Sequence, residues 1–281
     1  MATPHAPDPA AAVGPLLRRW RNARRMSQLD LALTAGVSAR HVSFLETGRS
    51  RPSRDMLLAL AGVLDVPLRD RNAMLQAAGF AAAYRETALN DPAMADIRQA
   101  LELILRQHEP FGAVAMDGGW NIVMANQAYV RFVAALAPSL KLPPPLTFAP
   151  PPRLNALRLL FDDAGLRQHV VNWPRLAREL LARLSREASA TDERAAALLR
   201  DLLATSGVPD DWREPDLDTP LALVVPVEVR LGDFTARFFT TITTLGAPQD
   251  VTLQELRIES FHAADAATAT LIRGMAGGQQ I

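Results

Sequence analysis

A chain of 281 residues, about half of them hydrophobic, is long for one domain and suits two domains with separate cores. No apolar run approaches the ~18 residues that mark a membrane-crossing helix. The absence of cysteine excludes disulfides, thiolate metal sites and cysteine nucleophiles.

Thirty basic residues balance thirty acidic ones, but not evenly along the chain. Residues 1–85 hold 12 Arg against 6 acids, and residues 86–281 hold 18 Lys plus Arg against 24 acids. A basic module joined to an acidic one implies that only the first meets a polyanion. Residues 1–14, rich in Ala and Pro, lack the basic start and apolar core of an export signal. They are expected to form a flexible arm on a cytoplasmic protein.

Helical periodicity begins after that arm. Leu16, Leu17, Trp20 and Ala23 are expected to face inward on a first helix. Ser27 caps a second helix, with Asp30 completing an acidic capping box, and Leu31, Ala32 and Ala35 facing inward. Gly36 suits the left-handed turn that ends it. Ser38 caps a third helix over 39–47, with Val42 and Leu45 inward and Gly48 at its end. After a basic loop, Ser53 caps a fourth helix, and a fifth spans 69–78.

Two short helices joined by a tight glycine turn have helix-turn-helix geometry, and the exposed first turns of the second are the part that enters a DNA groove. Ser38, Ala39, Arg40, Ser43 and Phe44 occupy that surface. Arg40 has the guanidinium fork that bonds guanine bidentately, and Phe44 can touch a thymine methyl. Gln28, at the start of the preceding helix, with Arg49 and Arg51, is positioned for phosphate.

A helix over 92–108 follows, with Ile97, Leu101, Ile104 and Leu105 as its stripe. Residues 111–116 and 120–125 read as a hairpin about Asp117-Gly118-Gly119. Asn126 caps a helix to about 136. Seven prolines in 138–152 make a loop. Helical patterns cover 154–161, 173–186 and 191–205. Strands are expected at 221–231, 234–244 and 253–263, then a helix over 264–275. Two strands, helices and three strands make an α+β domain with a five-stranded antiparallel sheet.

The carrying residues of the first module are Arg24, Ser27-Gln28, Leu31-Ala32, Ala35-Gly36-Val37-Ser38, Val42, Leu45-Glu46, Gly48-Arg49 and Pro52-Ser53. In order and spacing they resemble the XRE family of helix-turn-helix regulators, whose fold is the all-α lambda-repressor-like bundle. The remainder has Trp120-Asn-Ile-Val-Met-Ala-Asn126, Leu154-Asn155-Ala-Leu-Arg158 and the long motif from Phe238 to Phe261. These resemble the PAS-like ligand-binding domain of MmyB-like regulators. The resemblance implies an N-terminal DNA-binding domain at 15–85, with Glu46 paired to an arginine of the first helix and so left out of the DNA contacts, and a ligand-binding domain at 90–277. It also implies a cytoplasmic homodimer on a palindromic DNA operator, with no cofactor beyond a small apolar ligand of the fatty-acid kind.

For that ligand the expected contacts are Trp120, Asn126, Asn155, Arg158, His169, Asn172, Trp173 and Phe239. Ile122, Phe132, Leu157 and Phe161 are further wall candidates. Arg158 or Arg167 can grip a carboxylate with two hydrogen bonds. Two other readings of the second domain stand beside this one: a dimerisation or protein-interaction module, and an enzyme. The five histidines lack metal-ligand spacing, and neither a Gly-x-Ser-x-Gly elbow nor a phosphate loop is present, so catalysis is not expected.

Overall fold

The computed structural model describes residues 9–188, 193–214 and 226–277. Its contacts divide the chain into two units, Met1–Glu86 with Ala247–Gln254, and Thr87–Gly246 with Glu255–Ile281.

The first unit is helical: α1 (Pro9–Ala23), α2 (Gln28–Ala35), α3 (Ala39–Glu46), α4 (Arg54–Val63) and α5 (Leu68–Ala77). Of the expected arm, residues 1–8 lie outside the described residues, and residues 9–14 are already helical. The helix extends back because Val13 lies one turn before Leu17, and both are buried. That burial outweighs the bond lost at Pro15 within the helix. Gly14 lets α1 approach α3: a Cβ here would come 2.6 Å from the Glu46 carbonyl oxygen. Ala23, expected inward, is exposed, and Arg21 turns inward instead.

The capping signals act as read. Ser27 accepts from the Asp30 amide, while the Asp30 carboxylate accepts from Ser27, and Gly36 closes α2 at φ 68°. Ser38 and Ser53 cap α3 and α4. Leu17, Leu31, Val42, Leu45, Leu57 and Leu60 meet in the core. Residues 247–254, expected in the C-terminal domain, pack with this unit. The Val251 amide donates to the Arg85 carbonyl at 2.8 Å. The Gln254 side-chain oxygen accepts from the Leu68 amide at 2.6 Å, at the start of α5, where Pro67 supplies no cap.

The second unit is α+β. Its elements begin with α6 (Ala95–Gln107), β1 (Ala113–Met116), β2 (Ile122–Ala125), α7 (Gln127–Leu136), α8 (Ala156–Phe161), α9 (Trp173–Glu187) and α10 (Glu193–Leu203). Then come β3 (Val227–Leu231), β4 (Phe234–Thr244), β5 (Arg257–Ala263) and α12 (Ala266–Ala276), while the helical turn α11 (Val251–Glu255) between β4 and β5 falls, up to Gln254, in the first unit. The strands form a five-stranded antiparallel sheet in the order β2-β1-β5-β4-β3. Of the strand expected at 221–231, residues 221–225 lie outside the described residues, as do residues 191–192 of the helix expected at 191–205. The strand expected from 253 begins at Arg257, because Asp250 accepts from the Thr252 amide and starts a helical turn instead.

Strand side chains alternate between the two faces of the sheet. On one face Ala113, Ala115 and Ile258 meet Leu101 and Leu105 of α6. On the other, Val114 and Met116 meet Tyr129 and Val133 of α7, Leu157 and Phe161 of α8, and the apolar stripe of α9 and α10. No helix among the described residues is long and apolar enough to cross a membrane.

Candidate nucleic-acid interface and apolar cavity

In the first unit, a buried ion pair sets the position of α3. The Arg21 guanidinium donates to both Glu46 oxygens, at 2.6 and 3.0 Å, and to the Met26 carbonyl at 2.7 Å. The Gln28 amide donates to Glu46 at 2.7 Å. Burial acts to raise the Glu46 pKa, but the hydrogen bonds from Arg21 and Gln28 and the charge of Arg21 outweigh it and hold the carboxyl below its ordinary range. Glu46 thus ties together α1, the start of α2 and the end of α3. This is the expected pairing with an arginine of the first helix.

The outer surface of α3 carries the candidate DNA contacts. Ser38 and Arg40 are exposed, Ala39, Ser43 and Phe44 half-buried. The Arg40 guanidinium lies 5.1 Å from the centre of the Phe44 ring, a cation–π contact one turn along the helix. Arg49 and Arg51 are exposed after the end of α3. The Ser38 oxygen accepts from the His41 amide, which leaves its own O–H to donate. Gln28 is half-buried against Glu46, with a second amide proton left to give.

In the second unit, the helix-covered face of the sheet encloses a cavity of about 300 Å³. This is at the lower end of the range for small-molecule sites. Val114, Met116, Val227 and Val229 form its sheet side, with Phe132 and Leu136 from α7 and Leu157 and Leu160 from α8. The α9 residues Leu176, Leu180 and Arg183 complete it. The wall is mainly apolar, and its polar lining residues are Tyr129, Glu179, Arg183, Arg186, Thr240 and Glu259.

Trp120 lines this cavity. Its backbone is left-handed at φ 65°, and its indole N–H donates to Glu187 at 2.9 Å. Its ring has the Arg183 and Arg257 guanidinium groups 4.7 and 5.0 Å from its centre. Both arginines also bond Glu187 at 2.9 Å. Burial acts to raise the Glu187 pKa, but Arg257 and Arg183 prevail and lower it.

The other expected ligand contacts lie elsewhere. Asn126 is fully buried and committed to structure: its oxygen accepts from the Ala113 and Tyr129 amides, and its amide donates to the Leu105 and Phe111 carbonyls. Asn155 caps α8 and donates to the Gly119 carbonyl at 2.7 Å. Arg158 is paired with Asp201, and Arg167 with Asp163. Asn172 fastens the edge strand, donating to the Pro226 carbonyl at 2.7 Å and accepting from the Glu228 amide at 3.1 Å. The Trp173 indole donates to the Gly207 carbonyl, and its ring packs edge-on against Phe161. His169 has its Nε2 enclosed without a hydrogen-bond partner among the described residues, outside the cavity lining. Phe239 lies on the opposite face of the sheet from Phe238, stacked on His262 at 4.9 Å. Of the further wall candidates, Phe132 and Leu157 line the cavity, while Ile122 and Phe161 pack behind it in the core.

Sequence reasoning missed Tyr129, Thr240, Arg183 and Glu259. One signal was present. Alternation places Arg257, Glu259 and Phe261 on one face of β5 and Ile258 on the other, so an acid shares a face with an aromatic residue.

Two family models match the chain. Residues 97–274 match the MmyB-like transcription regulator ligand binding domain, and residues 17–70 match a helix-turn-helix family of the XRE type. Among solved structures, the restriction-modification controller protein C.AhdI from Aeromonas hydrophila is 32% identical over 22% of this chain and 94% of its own, with a TM-score of 0.21. The clp gene regulator ClgR from C. glutamicum is 27% identical over 26% of this chain and 92% of its own, with a TM-score of 0.24. No curated protein matches the chain. Both matched families are transcription-regulator domains.

Proposed function

This chain belongs to the MmyB-like transcription regulators, a DNA-binding helix-turn-helix domain joined to a ligand-binding domain, and from that premise we propose that it is a sequence-specific regulator whose choice or occupancy of DNA is set by a small apolar ligand. The observation that carries this reading is the mainly apolar cavity of about 300 Å³ in a chain that also presents an exposed arginine on α3.

In this reading two copies bind a palindrome, with their α3 helices in successive major grooves about 34 Å apart. Ser38, Ala39, Arg40, Ser43 and Phe44 meet base edges, and Gln28, Arg49 and Arg51 meet phosphates. Phosphate contacts supply salt-dependent affinity, and base contacts choose the site. The ligand is an apolar molecule of the fatty-acid kind, held against Trp120, Phe132 and Leu157. It acts by favouring one arrangement of the protein over another, since equal affinity for both would shift nothing. A covalent route supports such coupling. Residues 247–254 pack with the DNA-binding unit, while the chain on either side runs into β4 and β5, which carry Thr240 and Glu259 of the cavity.

Selection from a random duplex pool, with and without a fatty-acid series, tests this reading. Enrichment of a palindrome whose recovery changes with ligand is the expected result. A palindrome indifferent to every ligand would remove the sensor role, and no enrichment would remove sequence-specific binding altogether.

A further inference from the structure

The five-stranded sheet leaves one stretch of edge open. Both end strands carry cover on their outer sides. Against β2, the Leu146 and Ala149 amides donate to the Ala125 and Val123 carbonyls at 2.7 and 2.8 Å, and the Ile122 amide donates to the Leu154 carbonyl at 2.7 Å. Against β3, the Val171 amide donates to the Glu228 carbonyl at 2.8 Å, and Asn172 bonds Pro226 and Glu228. The longer β4 outruns β3, whose pairing with it stops at Val227 opposite Phe238. Pro226, next in line, has no N–H to extend the ladder. Residues 239–244 of β4 therefore pair with β5 on one side, and among the described residues no backbone hydrogen bond reaches their other side.

Alternation identifies the open groups. The Phe261 amide donates to the Gly112 carbonyl, on the β1 side of β5, so Ile258, Ser260 and His262 are the residues of β5 that bond β4. Their partners Phe239, Thr241 and Thr243 are spent on β5. The N–H and C=O groups of Thr240, Ile242 and Thr244 point the other way, to the open edge. Around them Phe239 and residues 241–244 are exposed. Soluble proteins blunt such an edge with a charge, a proline, a bulge or a covering segment. The stretch from Phe238 to Gly246 contains neither a charged residue nor a proline, and β4 pairs with β5 in unbroken register.

We propose that this edge seats a second copy of the chain, the two β4 strands pairing antiparallel about a two-fold axis at Ile242. The run Thr240-Thr241-Ile242-Thr243-Thr244 reads the same in both directions. Paired antiparallel with itself, it sets Thr240 against Thr244, Thr241 against Thr243 and Ile242 against Ile242. Thr–Thr and β-branched pairs of this kind stabilise a sheet. Ile242 is an outward residue, so an axis through it gives every open N–H and C=O of the run a partner. A two-fold contact joins one patch to itself, so a charge on the axis would meet its like, and this run has none. The self-matching order favours a second copy over an unrelated strand, and one sheet then continues through both molecules. The assignment rests on the two-copy reading above and names the surface that joins the copies.

The test uses the full chain, which has no cysteine of its own. Thr241→Cys and Thr243→Cys chains with different tags are co-expressed and oxidised. In the proposed register these positions face each other in a non-hydrogen-bonded pair, with Cα atoms about 4.5 Å apart, within disulfide reach. The two 241 positions of a Thr241→Cys dimer are offset by two residues, so their Cα atoms lie about 8 Å apart, beyond that reach. The mixture should cross-link, and each variant alone should not. Ile242→Lys places like charges on the axis and should raise the dimer dissociation constant about tenfold or more in sedimentation equilibrium, with the circular dichroism of the wild type.

A wild-type dimer whose cysteine mixture cross-links no better than either variant alone would overturn the assignment while keeping the two-copy reading. So would a folded Ile242→Lys that dimerises as tightly as the wild type. Either result would give the edge to another segment of the chain or to a different protein. A wild type that stays monomeric both free and on the duplex that selection yields would overturn the two-copy reading, and the assignment with it.

Discussion

Replacing Glu46 by Ala should loosen the DNA-binding unit far more than its single charge suggests. The Glu46 side chain is 2% exposed and that of Arg21 10% exposed, and they are joined by two hydrogen bonds. Removing one partner of a buried pair leaves the other charge enclosed, which costs about 3–5 kcal/mol. The Gln28 amide loses its acceptor as well. At about 1.4 kcal/mol per tenfold, the amide protection of α1–α3 should fall by roughly two to nearly four orders of magnitude. Hydrogen exchange read by mass spectrometry measures this, with amides of the β-sheet unit as the internal control. An Arg21→Met, Glu46→Leu double variant should recover most of the loss, because no lone charge remains. A loss below about 1 kcal/mol in Glu46→Ala, or a double variant as unstable as the single losses added together, would refute the reasoning.

Arg40→Ala should relax base preference at one operator position by about 1–3 kcal/mol, read by competition binding against single-base variants. Arg49→Ala should weaken all duplexes alike and lower the log–log salt slope by about 1. Asn126→Ala removes partners from two buried amides and two carbonyls, and should destabilise the second unit by about 3 kcal/mol or more in urea denaturation. The buried Glu46 and the half-buried Glu259 should give opposite pH dependences. The folded pKa of Glu46 is lowered, so its contribution is present above the unfolded carboxylate pKa and lost as pH falls through the folded value. The folded pKa of Glu259 is raised, so its contribution is present below the unfolded value and lost as pH rises through the folded one. Glu259→Gln should therefore have little effect below the unfolded carboxylate pKa and stabilise the second unit increasingly as pH rises through the folded value, as measured by unfolding across a pH series.

Local signals determined the helix-turn-helix unit. Ser27, Asp30, Ser38 and Ser53 act on amides within three residues, and Gly36 sets its own backbone angle. Such contacts lie inside one turn, so they are legible in the chain order. The alternation that lays out β4 was equally legible, because side-chain period is intrinsic to a strand. Asn126 was recognised as a helix cap for the same reason and Asn155 was not, yet the remaining polar atoms of both are engaged by Leu105, Phe111 and Gly119, distant in sequence. That engagement keeps them out of the cavity.

Only tertiary structure decided where the cavity's polar groups are. Tyr129, Arg183, Thr240 and Glu259 come from four separate elements and share a space only because β1, β5 and β4 lie side by side beneath α7 and α9. Strand order brings Val114 beside Glu259 across 145 positions of chain, 259 minus 114. Nothing local encodes that adjacency, since a strand's periodicity specifies which face a residue takes but not which neighbours it meets there. The raised pKa of Glu259 follows from the same packing. A carboxyl exposed to water keeps its ordinary pKa, and burial among side chains remote in sequence is what raises this one.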